Sequence, residues 1–335
     1  MKTITTNDLK SLYLPPPDSH KGQNGRLLII GGSHLFHAAS LWALKVASRI
    51  VDLVHYSSVP ENNELVLRQK EEFRDGIVVP RTEIESYIEE DDCILIGPGM
   101  VRTEKSKIKS QKSSPPKRDR ANPINQVKAG KLHFTIQNLK ELEEITDEGL
   151  QTEALINYLL HKFPHKQWVI DAGALQMMDV ALIPKNAILT PHQGEFELLW
   201  SKVSNMERFV GREVEKFEDK IKLLAQHFQC IILVKGQIDI ACNGGGSGGK
   251  ICNRGECVKI NGGNAGMTKG GTGDVLAGLI GALATKNDPY LATIAGAFIN
   301  KQAGDSLYKS VGPFFNASDL VDEIPRVMKE LLISI

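Results

Sequence analysis

Five times along this chain a short apolar run enters directly into a glycine-rich or polar cluster. Leu27–Ile30 runs into Gly31-Gly32-Ser33-His34, and Cys93–Ile96 into Gly97-Pro98-Gly99. Trp168–Ile170 runs into Asp171-Ala172-Gly173, Ala187–Thr190 into Pro191-His192-Gln193-Gly194-Glu195, and Ile231–Val234 into Lys235-Gly236. The runs are continuous rather than alternating, which marks strands covered on both faces and hence a mainly parallel sheet. The segments between them carry helical spacing over 38–51, 83–90, 152–161, 214–228 and 289–309. Strands alternating with helices predict an α/β fold, a mainly parallel central sheet with helices on both faces. Ligands of such sheets bind at the carboxyl ends of the strands, which is where the five clusters fall.

With 335 residues, 41% of them apolar, the chain has enough material for a large core. Its 40 basic residues are balanced by 40 acidic ones, so no general electrostatic footprint for nucleic acid or for anionic membranes is present. The longest apolar run, Val275 to Ala284, is too short to span a bilayer and contains two glycines. The first residues lack the charged-then-apolar order of a secretion signal. Five cysteines, an odd number in a long chain, argue against a framework of disulfides. The expectation is a reducing, cytoplasmic location.

Two segments depart from the pattern. Arg102 to Arg120 carries eight basic and two acidic residues and the pair Pro115-Pro116, as a solvated, flexible insertion would. With the polar stretch that follows, the insertion extends over about 102–150. The run Asn243 to Gly249 reads as a flexible turn between Ile238–Cys242 and a later extended segment near Ile251 and Val258. Cys242, Cys252 and Cys257 near that turn raise a zinc site as an alternative, but neither a C-x-x-C pair nor paired histidines accompany them. Rossmann and Walker phosphate loops are excluded by their missing glycine and lysine spacings.

The strongest chemical signal is the glycine-dense run Asn261 to Asp274, followed at once by the small apolar residues Val275 to Ile280. Glycine weakens helix and strand interiors, so such a run suits a loop whose backbone approaches a ligand closely. Gly271-Thr272-Gly273-Asp274 then stands at a helix N-terminus, where free N–H groups and the dipole favour an anion such as phosphate. A carboxylate beside an anion site fits a general base that takes a proton from a hydroxyl attacking a phosphoryl group. The bland alternative is that Asp274 is a helix N-cap.

The loop NAGMTKGGTGDVLAG resembles that of the ribokinase-like superfamily and, more narrowly, of the ADP/ATP-dependent NAD(P)HX dehydratases, the NAD(P)H-hydrate repair enzymes. GGSHLFHAASLWALKVASR, GPGM, VIDAGAL, TPHQGEF and LVKG precede it in the family's order, so the likeness covers about 20–100 and 165–330. The resemblance implies a ribokinase-like fold in a single domain over 1–335. It also implies an enzyme, a hydro-lyase that uses ADP or ATP, with Mg2+, to return the S-epimer of NADHX or NADPHX to NADH or NADPH. With ADP the products are AMP and phosphate. On the matching positions, Asp274 is the catalytic aspartate. Ala39, Gly99, His192 and Asp274 line the hydrate. Lys235, Gly236, Gln237, Ile238, Asp239, Gly271, Thr272 and Gly273 hold the nucleotide.

Glu195 is a candidate to bind metal through water, or else a helix-start carboxylate; Asp171 is a candidate to order water or metal, or else a helix cap. His192 has a bland reading as a helix cap, and Lys235 as a surface lysine. The chain departs from the family at Gly173, where a second aspartate is common, and at Met100-Val101, where leucine-glycine is common. An N-terminal epimerase domain, carried by some members, is not expected ahead of a first strand near residue 25. The resemblance further suggests a homo-oligomer, in the form of a tetramer. A small-molecule kinase of the ribokinase or hydroxymethylpyrimidine kinase type is the nearest competing function, and a non-catalytic nucleotide-binding protein the second.

Overall fold

The computed structural model describes residues 1–71, 73–103, 125–128, 131–204, 214–245 and 255–333. Its strands in chain order are β1 (Lys2–Thr3), β2 (Arg26–Ile30), β3 (Leu53–Ser57), β4 (Ile77–Val78), β5 (Cys93–Ile96), β6 (Asn125–Lys128), β7 (Lys131–Phe134), β8 (Gln167–Ile170), β9 (Ile188–Leu189), β10 (Ile231–Val234), β11 (Asp239–Asn243) and β12 (Cys257–Ile260). Ten of them form one sheet in the order β1-β12-β11-β10-β9-β8-β5-β2-β3-β4, and β6 and β7 pair separately. All the pairings from β4 through to β10 are parallel. β10-β11-β12 is an antiparallel meander closed by the parallel strand β1.

The continuous apolar runs are explained by burial on both faces. Leu27 and Ile29 of β2 enter one core with the helices Ala38–Ala47, Thr272–Ala284, Pro289–Val311 and Ala317–Leu332. Leu28 and Ile30 enter the other, with Ile84–Glu90, Glu148–Lys162, Gln193–Val203 and Phe217–Phe228. The parallel direction places the ends of β2, β5, β8, β9 and β10 on one edge. Strand order reverses between β2 and β5, and there the Gly32 N–H donates to the Pro98 carbonyl at 2.7 Å. Such a switch point is where open α/β sheets form their crevice. No helix among the described residues is long and apolar enough to cross a membrane.

Four expectations are corrected. The first strand begins at Lys2 rather than near residue 25, and Leu9 and Leu12 behind it are buried. β3 was not expected, because Leu-Val-His-Tyr-Ser mixes polar and apolar residues. Burial of its His55 is made tolerable by Asp91, whose carboxylate lies 2.8 Å from Nδ1. The flexible insertion was drawn too long: Ile136, Leu139, Leu142 and Ile145 are buried in the second core, while residues 104–124 lie outside the described residues.

The fourth concerns the cysteines. Antiparallel register sets Cys242 opposite Cys257, and the two form a disulfide. Cross-strand register is invisible in spacing alone. Two of the three thiols of the zinc alternative are thereby consumed, and Cys252 lies outside the described residues.

Candidate active site

Three strand ends build the centre. β8 ends on Asp171, which is 1% exposed; its Oδ1 accepts from Thr190 Oγ1 and from Lys235 Nζ, each at 2.8 Å. Asp171 stands at the N-cap of the helix Ala172–Met177, but its side chain caps nothing. β10 ends on Lys235, whose N–H donates to the Pro191 carbonyl at 2.9 Å and whose backbone bridges His192. Lys235 is therefore not a surface lysine.

Asp274 arrives from the opposite direction, on the helix Thr272–Ala284. Gly271 is the N-cap, so Asp274 lies in the first turn and is not the cap. Burial, then repulsion from Asp171 and a smaller one from Glu195, pushes its carboxyl up to about 7 against the attraction of Lys235. Burial alone would lower the pKa of Lys235, but Asp171, Glu195 and Asp274 outweigh it and hold the ammonium charged. A carboxyl poised near neutrality beside a fixed cation is what a general base in phosphoryl chemistry requires.

The glycine loop is shaped by close approach. Gly271 has φ +98°, and a Cβ there would come within 2.4 Å of the Trp42 ring. Gly273 is outside the left-handed region, and a Cβ there would stand 3.5 Å from Lys235 Nζ. Thr272 turns its hydroxyl inward, donating to the Met267 carbonyl at 2.7 Å, so its contact with a ligand would be through the backbone. Gly271→Ala is thus expected to lower Tm by several degrees, from strain on the order of 1–3 kcal/mol. Gly273→Ala should leave Tm nearly unchanged and weaken nucleotide binding. Thermal melts beside nucleotide titrations separate the two.

His192 and Glu195 cap the helix Gln193–Val203 reciprocally. His192 Nδ1 accepts from the Glu195 N–H at 3.2 Å, and Glu195 Oε2 accepts from the His192 N–H at 2.9 Å. Nδ1 is occupied as the cap acceptor, while Nε2 lies 3.7 Å from Glu195 Oε2 on a side chain that is 61% exposed. A ligand would therefore meet the ring at Nε2 rather than at the capping Nδ1. The other Glu195 oxygen accepts from Gln176 Nε2 at 2.9 Å. Both carboxylate oxygens thus already have protein donors, which suits Glu195 to contact a metal through water. Among the described residues no group of three or more His, Cys, Asp or Glu is arranged to hold a metal ion.

Ala39 and Gly99 meet across the switch point. Gly99 has φ +73°, and a Cβ on it would lie 3.0 Å from that of Ala39. Gly236, Gln237 and Ile238 form the exposed turn after β10, while Asp239 is 4% exposed. Asp239 accepts from the Gly236 N–H at 2.9 Å and pairs with Lys301 Nζ at 3.2 Å, so its carboxylate is held inside the fold. Lys301 was missed by sequence reasoning because it lies mid-helix, far along the chain from Asp239. A separate cavity of about 420 Å³ opens among His34, Glu61, Arg102, Asp147, Glu148 and Gln151, and none of the candidate residues lines it. The shifted carboxyl and its lysine lie outside that cavity, so the chemistry belongs at the strand ends.

Sheet order, helices on both faces and a helix N-terminus carrying Asp274 define a ribokinase-like α/β protein. A ribokinase-like superfamily protein from Enterococcus faecalis superposes with TM-score 0.65 at 20% identity, covering 99% of this chain and 96% of that one. The ADP/ATP-dependent NAD(P)H-hydrate dehydratase from Bacillus subtilis, crystallised with ATP and Mg2+, superposes with TM-score 0.65 at 21% identity, covering 98% of each chain.

The model of the NAD(P)H-hydrate dehydratase family matches residues 145–326. The chain is 31% identical over 333 residues to the ADP-dependent (S)-NAD(P)H-hydrate dehydratase of Nitrosopumilus maritimus, covering 98% of this chain and 97% of that one. It is 33% identical over 330 residues to the bifunctional NAD(P)H-hydrate repair enzyme of Methanocaldococcus jannaschii, covering 96% of this chain but 52% of the relative. The chain belongs to the NAD(P)H-hydrate dehydratase family, and it spans about half the length of the bifunctional relatives it matches.

Proposed function

We propose that the chain is a nucleotide-dependent dehydratase that converts the S-epimers of NADHX and NADPHX to NADH and NADPH. In this reading ADP is consumed to AMP and phosphate. The observation that carries it is the Asp274 carboxyl, raised to about 7 beside Lys235 at the start of a helix. Hydroxide is a poor leaving group and phosphate a good one. Asp274 takes the proton of the hydrate hydroxyl as its oxygen forms a bond to the terminal phosphorus of ADP. The bond from that phosphorus to the AMP oxygen breaks. Phosphate then leaves the hydrated, tetrahydropyridine ring with the C–O electron pair while the neighbouring ring carbon gives its proton to solvent, and the new C=C restores the dihydropyridine. Lys235 and the N–H groups at Gly271–Gly273 face the charge that develops on the transferring group. Mg2+, bound chiefly by the nucleotide's phosphates with water from the Glu195 side, would neutralise part of that charge.

The reading also takes 1–335 as one catalytic domain, acting in the cytoplasm as a homo-oligomer, a tetramer by family likeness. The deciding assay incubates purified protein with NADHX and ADP, ATP or neither. Loss of hydrate absorbance with NADH and AMP appearing supports the reading. Phosphorylation of a stable alcohol without NADH would point to a kinase, and no turnover with either to a nucleotide-binding protein. His192→Ala is expected to raise the hydrate KM more than it lowers kcat. It should also cost about 1 kcal/mol in stability through the lost cap, seen in denaturant melts.

A further inference from the structure

Lys301 lies in the helix Pro289–Val311, is 5% exposed, and has no place in the chemistry above. Its ammonium donates to the carbonyls of Gly236 at 3.0 Å, Gln237 at 3.1 Å and Gly262 at 3.1 Å. The carboxylate of Asp239 completes the cage at 3.2 Å. One turn further along the same helix, Asp305 accepts the Gly263 N–H at 3.0 Å and Asn264 Nδ2 at 3.1 Å. A single helix thus grips the turn after β10, assigned to the nucleotide, and the start of the glycine run that leads to Gly271–Gly273. Three carbonyl oxygens converging on a buried point would repel one another without a cation between them.

In a trans peptide the C=O and N–H groups point in opposite directions. Drawing the Gly236 and Gln237 carbonyls inward therefore turns the Gln237 and Ile238 N–H groups outward, in a turn that is exposed. Successive N–H groups held this way make a concavity for an anion or for the polar edge of a base. We propose that Lys301 is a positioning residue for the nucleotide, holding the Gly236–Gln237 turn and Gly262 in the arrangement that receives it. This deepens the nucleotide-dependent reading and rests on it.

The test uses the full chain. Lys301→Met alone strands a buried Asp239, so it is combined with Asp239→Asn, which removes both charges and keeps an acceptor for the Gly236 N–H. ADP binding is measured by calorimetry and turnover with NADHX and ADP. Measured against Asp239→Asn alone, the double variant is expected to raise the ADP KM by about tenfold or more, with kcat at saturating ADP changed less than about threefold and the NADHX KM unmoved. An unchanged ADP KM, or equal rises in both KM values, would overturn the proposal.

If the double variant does not fold, Lys301→Arg decides. It keeps the charge, but its planar fork cannot satisfy three converging carbonyls, so the ADP KM should still rise. An Arg variant with wild-type ADP KM overturns the proposal. Failure of the wild-type chain to bind ADP or form NADH would instead overturn the functional reading, and this proposal with it, before any variant is compared.

Discussion

Asp274→Asn lowers turnover by about 10²–10⁴-fold while ADP and NADHX both still bind, because the substitution removes the base but keeps its size and most of its hydrogen bonding. The wild-type rate at saturating ligands should rise with pH through about 7 as the carboxyl ionises. Single-turnover rates across pH, with binding measured separately, check both points. Near-normal turnover in the variant would leave the proposed mechanism without a base.

The same residue sets a stability slope. Its folded carboxyl holds the proton to about 7, against 3.8 for an ordinary aspartate. Between those values the folded state binds more protons than the unfolded one, so stability falls as pH rises. Asp274→Asn should remove that slope and stabilise the protein above pH 7 by on the order of 1–3 kcal/mol, discounted for the partial exposure of the group. A more stable and inactive variant is the expected result where a site stores unfavourable electrostatics for use in chemistry.

How much of this could be read from the chain follows from which interactions are local. Strands such as Cys93–Ile96 were legible because two-sided burial leaves a continuous apolar run, and the loop ends because glycine stands where the backbone must turn. Asp274 and Lys235 were each picked out, but not their meeting: one follows a helix start and the other a strand end, and only the sheet order joins them. Asp171 was left between two roles, and its partnership with Lys235 spans 64 positions. Family likeness places Asp239 in the nucleotide segment with Gly236, Gln237 and Ile238, but nothing in that likeness points to its buried partner. Its burial against Lys301 depends on a helix in which the lysine stands between Asn300 and Gln302, as a solvent-facing residue would, 62 positions along the chain. His55 hid β3 for the same reason, since its partner Asp91 is 36 residues away.

Lys235→Met should give the second large effect, and it reads the cluster as a circuit. The change leaves Asp171 buried with Thr190 as its remaining side-chain partner, which costs about 3 kcal/mol in stability. It also removes the attraction that restrains Asp274, so the pH midpoint of turnover moves above about 7, and turnover falls about 10²-fold or more from the lost charge at the transferring phosphate. Asp171→Asn acts oppositely on Asp274: the larger repulsion disappears and the midpoint moves below about 7. Combining the two removes both influences. Because the repulsion from Asp171 exceeds the attraction of Lys235, the double variant's midpoint should fall between that of Asp171→Asn and the wild type, with much of the lost stability recovered. The order of midpoints, highest in Lys235→Met and lowest in Asp171→Asn, is read from kcat against pH in four proteins. Midpoints that stay together across the set would mean that Asp274 is not the group whose ionisation limits the rate.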